Sequence, residues 1–303
     1  AAAAQNKEKP NIIILQSDDL GYADLNCYGG VAHTPNIDAL AQGGVKLTNY
    51  YAPAPNSSPS RASLLTGRHP SRVGMYSYIP AWKDNPMHLK DEEVTIAELL
   101  KEQGYQTAQF GKWHISCLEH KNSCEEPQPA DQGFDYYFAT ENNAWPSHKN
   151  PVNFIRNGKA VDTMKGYASH LVVHEAKQWL TNRVEKSNPY FLYINFHEVH
   201  KKIASPPSLV KKYSTYLQNE ILATQWSQEA LPEKNHEFDS YDATYYANIE
   251  NMDRAVGKLL NLLRRRQELQ KTLILFVSDN GSYRQGSQPM LRGYKGEVFE
   301  GGI

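Results

Sequence analysis

The sequence predicts an α/β domain: a three-layer sandwich around a central, mostly parallel or mixed β-sheet. Three observations predict it. Apolar, β-rich runs recur along the chain, helical patterns lie between them, and the runs are continuously rather than alternately apolar, as in strands buried on both faces. The runs are Asn11 to Gln16, Val45 to Tyr51, Thr107 to His114, Tyr190 to Phe196 and Thr272 to Ser278. The helices have readable ends. Thr34-Pro35 opens one and Gly43-Gly44 closes it. Thr95 with Glu98 forms a capping box, and Gly104 ends that helix. Longer amphipathic stretches run from Tyr167 to Lys186 and from Tyr241 to Arg266, the second with Ile249, Met252, Val256, Leu259, Leu260 and Leu263 at helical spacing. Arg264 to Arg266 are read as cations on the last turn of that helix. The segments Glu119 to Asp131 and Asn142 to Asn153 read as long loops, the kind that build sites on such scaffolds.

With 303 residues, 40% of them hydrophobic, the chain can bury a large core. Thirty-two Lys+Arg against 33 Asp+Glu leave a net charge of −1, which removes the bulk electrostatic case for nucleic acid or an anionic membrane. No apolar run reaches the roughly 20 residues of a membrane span. Three cysteines are too few for a disulfide scaffold, although a bridge between Cys117 and Cys124 would close a short loop and leave Cys27 free. The Ala1 to Ala4 start carries no leader pattern, and the Glu300-Gly301-Gly302-Ile303 end reads as a cut inside a longer protein.

Two strand exits carry the metal chemistry. The first strand runs into Ser17-Asp18-Asp19-Leu20-Gly21 and the last into Ser278-Asp279-Asn280-Gly281. Open α/β sheets place ligands at such exits. Asp18, Asp19, Asp279 and Asn280 together suit one hard cation, Ca²⁺ or Mg²⁺, and not a His/Cys zinc centre. Three carboxylates around a divalent ion leave about one excess negative charge, so an anionic substrate also needs cations. Lys112 and His114 near a strand end, His200 after another strand and Lys295 between two glycines are the candidates. The segment Asn56 to Arg68 reads as a loop feeding a helix N-terminus, whose free amides suit an anion.

Here the sequence resembles the type I sulfatases of the alkaline phosphatase superfamily. Their signature is Cys or Ser, any residue, Pro, Ser, Arg, then Leu-Thr-Gly-Arg; Ser57, Pro59, Ser60 and Arg61 take its positions, followed by Leu65-Thr66-Gly67-Arg68. The likeness continues through Asp18 to Tyr22, Thr34 to Asp38, Gly111 to His114, Ser278 to Gly281 and Gly293 to Gly296, so it spans nearly the whole chain. It implies an alkaline phosphatase-like fold and a sulfuric ester hydrolase. The signature residue would be oxidised by a formylglycine-generating maturase. One hydroxyl of the formylglycine hydrate would attack sulfur, and the other would expel sulfate by re-forming the aldehyde. Ser57 would be the precursor, with Arg61 and Lys112 stabilising it. His114 would assist collapse of the sulfated intermediate, His200 and Lys295 would hold the sulfate and aid the leaving oxygen, and Asp279 would activate the hydrate.

This chain departs from the pattern twice. Family members commonly read Pro-His-x-Pro where it has Val199-His200-Lys201-Lys202. Position 57 is Ser, whose single oxygen leaves a sulfate ester that cannot collapse. The residue is therefore either the precursor of a Ser-type enzyme matured anaerobically or a Cys-to-Ser version, and the unmodified form is expected to be inactive.

Segments from Asp135 to Ala144, Pro146 to His148, His197 to His200 and Ile203 to Pro206 are similar to bacterial sulfatases acting on sulfated sugars, and imply a glycosaminoglycan, mucin or algal polysaccharide as substrate. His148, Asn143, Arg292 and His197 are the candidate sugar contacts. The rival readings are a phosphodiester or phosphonate monoester hydrolase of the same superfamily and a non-catalytic sulfoglycan-binding homologue. Residues 1–303 are expected to form the N-terminal catalytic domain without a small C-terminal domain, and the location is expected to be periplasmic or extracellular. Asn56-Ser57-Ser58 and Asn280-Gly281-Ser282 match the glycosylation sequon, but a glycan there would block this site, so both matches are read as coincidence.

Overall fold

The computed structural model describes residues 9–80, 87–118, 125–226, 240–284 and 291–303. Seven strands make one sheet: β1 (Asn11–Ser17), β2 (Gln106–Lys112), β3 (Tyr136–Thr140), β4 (Ile155–Arg156), β5 (Lys159–Ala160), β6 (Tyr190–Asn195) and β7 (Thr272–Ser278). Their spatial order is β5-β4-β3-β2-β6-β1-β7. The β3-β2-β6-β1-β7 block is parallel, and β4 and β5 add an antiparallel edge. Among the described residues the helices are α1 (Pro35–Gln42), α2 (Ser57–Thr66), α3 (Ile96–Glu102), α4 (Ala168–Asn182), α5 (Pro207–Trp226) and α6 (Ser240–Arg265).

Strand alternation separates two cores. Ile13, Leu15, Phe110, Leu192 and Ile194 point to one face and pack with Val172 and Ala176 of α4 and with Met252, Val256 and Leu259 of α6. Ile14, Phe191 and Tyr193 point to the other and pack with Ala62 and Leu65 of α2 and Ala97 of α3. The result is the expected three-layer sandwich. Strands β1, β2, β6 and β7 match the apolar runs.

The run Val45 to Tyr51 forms no strand. Val45 and Leu47 are exposed, and the segment lies beside β7 without joining the sheet; Lys46 Nζ donates to Cys27 O and Tyr28 Oη to Leu47 O. Apolar content alone does not make a strand when no ladder partner is available. Conversely, Tyr136–Thr140, within the stretch likened to sulfatases acting on sugars and not among the apolar runs, is strand β3. Helix α5 had not been anticipated.

The expected caps hold in part. Thr95 Oγ1 accepts from Glu98 N while Glu98 Oε2 accepts from Thr95 N, closing the capping box of α3. Thr34 does not cap α1 with its side chain; Asp253 of α6 does so instead, accepting from Asn36 N at 3.0 Å and Ile37 N at 2.8 Å. Cys117 is disulfide-bonded and Cys27 is free; Cys124 and residues 119–124 of the first long loop lie outside the described residues, as do Ala1 to Ala4. No described helix is long and apolar enough to cross a membrane.

Candidate active site

The C-terminal ends of the adjacent strands β2, β6, β1 and β7 deliver Lys112, Asn195, Asp18 and Asp279 to one place. Gly111 keeps that place compact: at φ +90° it lies so close to β6 that a Cβ would come within 1.8 Å of Asn195 O. Past β1 the backbone turns at Asp19, whose φ of 61° lets the two aspartates converge, and Asp19 N donates to Asp279 Oδ1 at 3.1 Å. One oxygen from each of Asp18, Asp19 and Asp279 lies within 4.8 Å of the others, and all three residues are buried. Asn280 completes the group, its Nδ2 donating to Asp19 Oδ1 at 2.8 Å.

Ser57 opens α2 and lies against this acid cluster. Its Oγ is 3.2 Å from Asp18 Oδ1, 3.5 Å from Asn280 Oδ1 and 3.3 Å from Lys112 Nζ. One helical turn on, Arg61 projects from the same face. Its Nε and Nη2 donate to Asp279 Oδ2 at 3.1 and 2.8 Å, and Nη1 donates to Asn195 Oδ1 at 3.1 Å. Lys112 Nζ donates to Asp18 Oδ2 at 2.8 Å. Lys295 reaches Asp19 at 2.7 Å, and His200 Nε2 stands 3.6 Å from the same carboxylate. Lys295 and His200 are the partly exposed members, while Ser57, Arg61 and Lys112 are buried. The site therefore opens on the side of those two residues.

Burial pushes the Asp18 carboxyl up, but Lys112, His200, Arg61 and Lys295 outweigh it and hold the group well below the usual range. Asp279 moves the other way: burial raises it, and Arg61 does not compensate while Asp18 crowds it. Burial also draws Lys112 below the ordinary lysine range despite Asp18. Three carboxylates face Arg61, Lys112 and Lys295 and balance them in charge. An all-oxygen donor set, buried and built from three carboxylates and an amide, fits a hard divalent ion. Adding such an ion would leave a net positive pocket suited to an anion.

His114 follows β2 at φ 58°, and its Nε2 lies 2.9 Å from Ile79 O. A carbonyl only accepts, so Nε2 carries the proton. Burial and Lys112 hold the ring neutral, leaving Nδ1 as a buried acceptor without a partner.

The candidate sugar contacts do not gather as one group. His148 and His197 are fully buried, their rings 6.3 Å apart. His197 Nε2 is 2.7 Å from Thr140 Oγ1, which itself donates to Asn142 O. Both nitrogens of His148 and the Nδ1 of His197 make no well-formed hydrogen bond, with the Asn248 amide beside His148. Asn143 is half-buried and its carbonyl accepts from Asn153 Nδ2. Arg292 is exposed and lies over the Phe299 ring at 3.9 Å.

Two site residues escaped the sequence reading. Asn195 orients Arg61; the signal was a lone amide ending an apolar strand. Glu198, fully buried, accepts from Ser169 N at 3.2 Å and so caps α4 behind the His197–His200 turn.

Comparison with known proteins gives the family. The family model described as Sulfatase matches residues 10–303. Arylsulfatase of Klebsiella aerogenes is 28% identical over 93% of this chain and 68% of its own length. Human arylsulfatase A is 30% identical over 100% of this chain and 59% of its own length. The crystal structure of Ps i-CgsB superposes with a TM-score of 0.78 at 28% identity, covering 97% of this chain and 64% of that one; the same protein is also solved in complex with k-i-k-neocarrahexaose. The chain thus spans about three fifths to two thirds of the length of these relatives. It belongs to the sulfatase family.

Proposed function

We propose that the protein hydrolyses sulfate monoesters of a carbohydrate at the pocket formed by Asp18, Asp19, Ser57, Arg61, Lys112, His114, His200, Asp279, Asn280 and Lys295. One observation carries the reading: Ser57 Oγ lies within 3.3 Å of both an acid of the cluster and a buried ammonium. Asp18, Asp19, Asp279 and Asn280 would hold Ca²⁺, with Mg²⁺ as the alternative. A divalent ion there supplies positive charge to the oxygens of a bound sulfate. Formylglycine at position 57, installed by a maturase, supplies as its hydrate a nucleophile that an unmodified serine lacks.

The remaining work belongs to the chain's own groups. Arg61 keeps Asp279 in place and faces residue 57 from the same helix turn. Lys112 directs an N–H to residue 57 and neutralises Asp18. Lys295 and His200, at the open side, bind sulfate oxygens and steady the departing alkoxide. His114, neutral with its Nδ1 lone pair free, takes up a proton in the pocket. His148 backs the turn after His200 through its main-chain N–H to Lys202 O, and buried His197 contacts Thr140 at the end of β3. The carbohydrate assignment rests on likeness: the related Ps i-CgsB is solved with k-i-k-neocarrahexaose. Residues 1–303 are read as the N-terminal catalytic domain of a periplasmic or extracellular enzyme.

The test pairs maturation with turnover. Co-expressed with a formylglycine-generating maturase, the protein loses about two mass units at residue 57 and releases sulfate from 4-nitrophenyl sulfate far faster than phosphate from 4-nitrophenyl phosphate. Preference for the phosphate ester would reject the reading, as would sulfate turnover equal with and without modification.

A further inference from the structure

The turn after His200 carries two adjacent lysines, and the structure gives each a fixed seat. Lys202 Nζ stands 4.2 Å from the centre of the Trp145 indole, on the loop that begins after β3. Lys201 Nζ stands 5.1 Å from the Tyr283 ring, three residues past Asn280. Both lysines are exposed, and Trp145 is 54% exposed. Neither lysine has a carboxylate within 4.0 Å among the described residues, whereas Lys295 and Lys112 are paired with Asp19 and Asp18. The backbone ties the pair to the pocket: His200 Nδ1 is 2.7 Å from Lys201 O, and His148 N donates to Lys202 O at 3.2 Å.

Exposed lysines are ordinarily solvated, long and mobile. Here the aromatic faces restrict both ammoniums through cation–π contacts. Two unpaired cations on the turn that carries His200 add positive potential beside the pocket. Lys202 is two residues from His200, at most about 7 Å along the backbone, which keeps both lysines on the turn that carries that pocket histidine.

We propose that Lys201 and Lys202, seated on Tyr283 and Trp145, form a second anion subsite, and that the substrate is a polyanionic saccharide carrying a further sulfate or carboxylate next to the ester being cleaved. The inference rests on the carbohydrate sulfatase reading but is tested apart from it. Calorimetric titrations of a heparin hexasaccharide, which carries sulfates and carboxylates, and of a carrageenan hexasaccharide, which carries sulfates only, are compared in the native protein and in the Lys201→Met/Lys202→Met variant. Two lost charge-assisted contacts predict about a tenfold weaker Kd.

Weakening of both saccharides supports the subsite with sulfate as a sufficient ligand, and weakening of heparin alone supports it with carboxylate as the ligand. Unchanged affinity for both overturns it. The kcat/KM of the matured variant for 4-nitrophenyl sulfate, which has no second anion, is expected to stay within about twofold of the native value. Absence of turnover by the matured native protein would instead count against the hydrolase reading and leave the titration to decide the subsite.

Discussion

Arg61 shows how tightly the pocket is bound to the fold. Its guanidinium is fully buried, grips Asp279 through two nitrogens and holds Asn195 with a third. Replacing it with Met leaves Asp279 buried beside Asp18 and Asp19 with no counter-charge from α2, a change that costs about 3–5 kcal/mol. Chemical denaturation of Arg61→Met without metal should show that loss, and calcium should recover part of it. A loss under about 1 kcal/mol would mean that the pair does not hold the site together.

Cys27 is a second residue with a measurable signature. Burial, reinforced by Asp38, pushes its thiol up to about 11. The thiolate is the reactive form, so alkylation at pH 8 should be slow in the folded protein and accelerate only as pH approaches that value. The sign of the linkage follows: the folded state holds this proton more tightly than the unfolded chain, so the thiol's contribution to stability is intact at neutral pH and is lost as pH rises through the alkaline range. Rapid labelling at pH 8 under native conditions would show that the thiol is not shielded.

Asp253 joins two helices that are far apart in sequence. It satisfies the first free amides of α1 from a position in α6, and its Oδ2 also accepts from Asn36 Nδ2 at 2.7 Å. Asp253→Ala should lower stability by about 1–3 kcal/mol, read as a fall in Tm with the sheet otherwise unchanged. The Pro and Gly residues that bound α1 were visible in the sequence, but the cap was not, because it comes from tertiary structure.

The same division runs through the other elements. Strands β1, β2, β6 and β7 were legible because burial on both faces writes an unbroken apolar run. Strands β4 and β5, two residues each, leave no such trace. Helix α5 carried a signal that was passed over: Leu209, Tyr213 and Leu217, spaced by four, form a small core with Ala243 and Ala247 of α6, diluted by lysines and hydroxyls between them. Val45 to Tyr51 erred the other way, since composition reports apolarity and not a pairing partner. Strand β7 pairs with β1 on one side only among the described residues, and its Leu273 and Leu275 are 53% and 38% exposed. Such an edge invites association. Light scattering should find self-association of this chain that falls in Leu273→Lys/Leu275→Lys; identical behaviour of the two would exonerate the edge.

Across the whole molecule, the site depends on topology more than on any local segment. Asp18 and Asp279 are separated by most of the chain and meet because β1 and β7 are neighbours in register, Ser17 opposite Ser278. The sequence showed the acids at two strand exits and the basic residues at others. It could not show that Arg61 would bridge to Asp279, that Asn195 would orient it, or that His148 and His197 would be fully buried, because those outcomes depend on packing.

The central claim is that side chains from these exits hold one divalent ion next to residue 57. Calorimetric titration of calcium into the metal-stripped protein tests it most directly. The expected result is a single site per chain that disappears in Asp19→Ala and in Asp279→Ala while both variants remain folded by circular dichroism. No binding to the native protein, or binding that survives both substitutions, would contradict it.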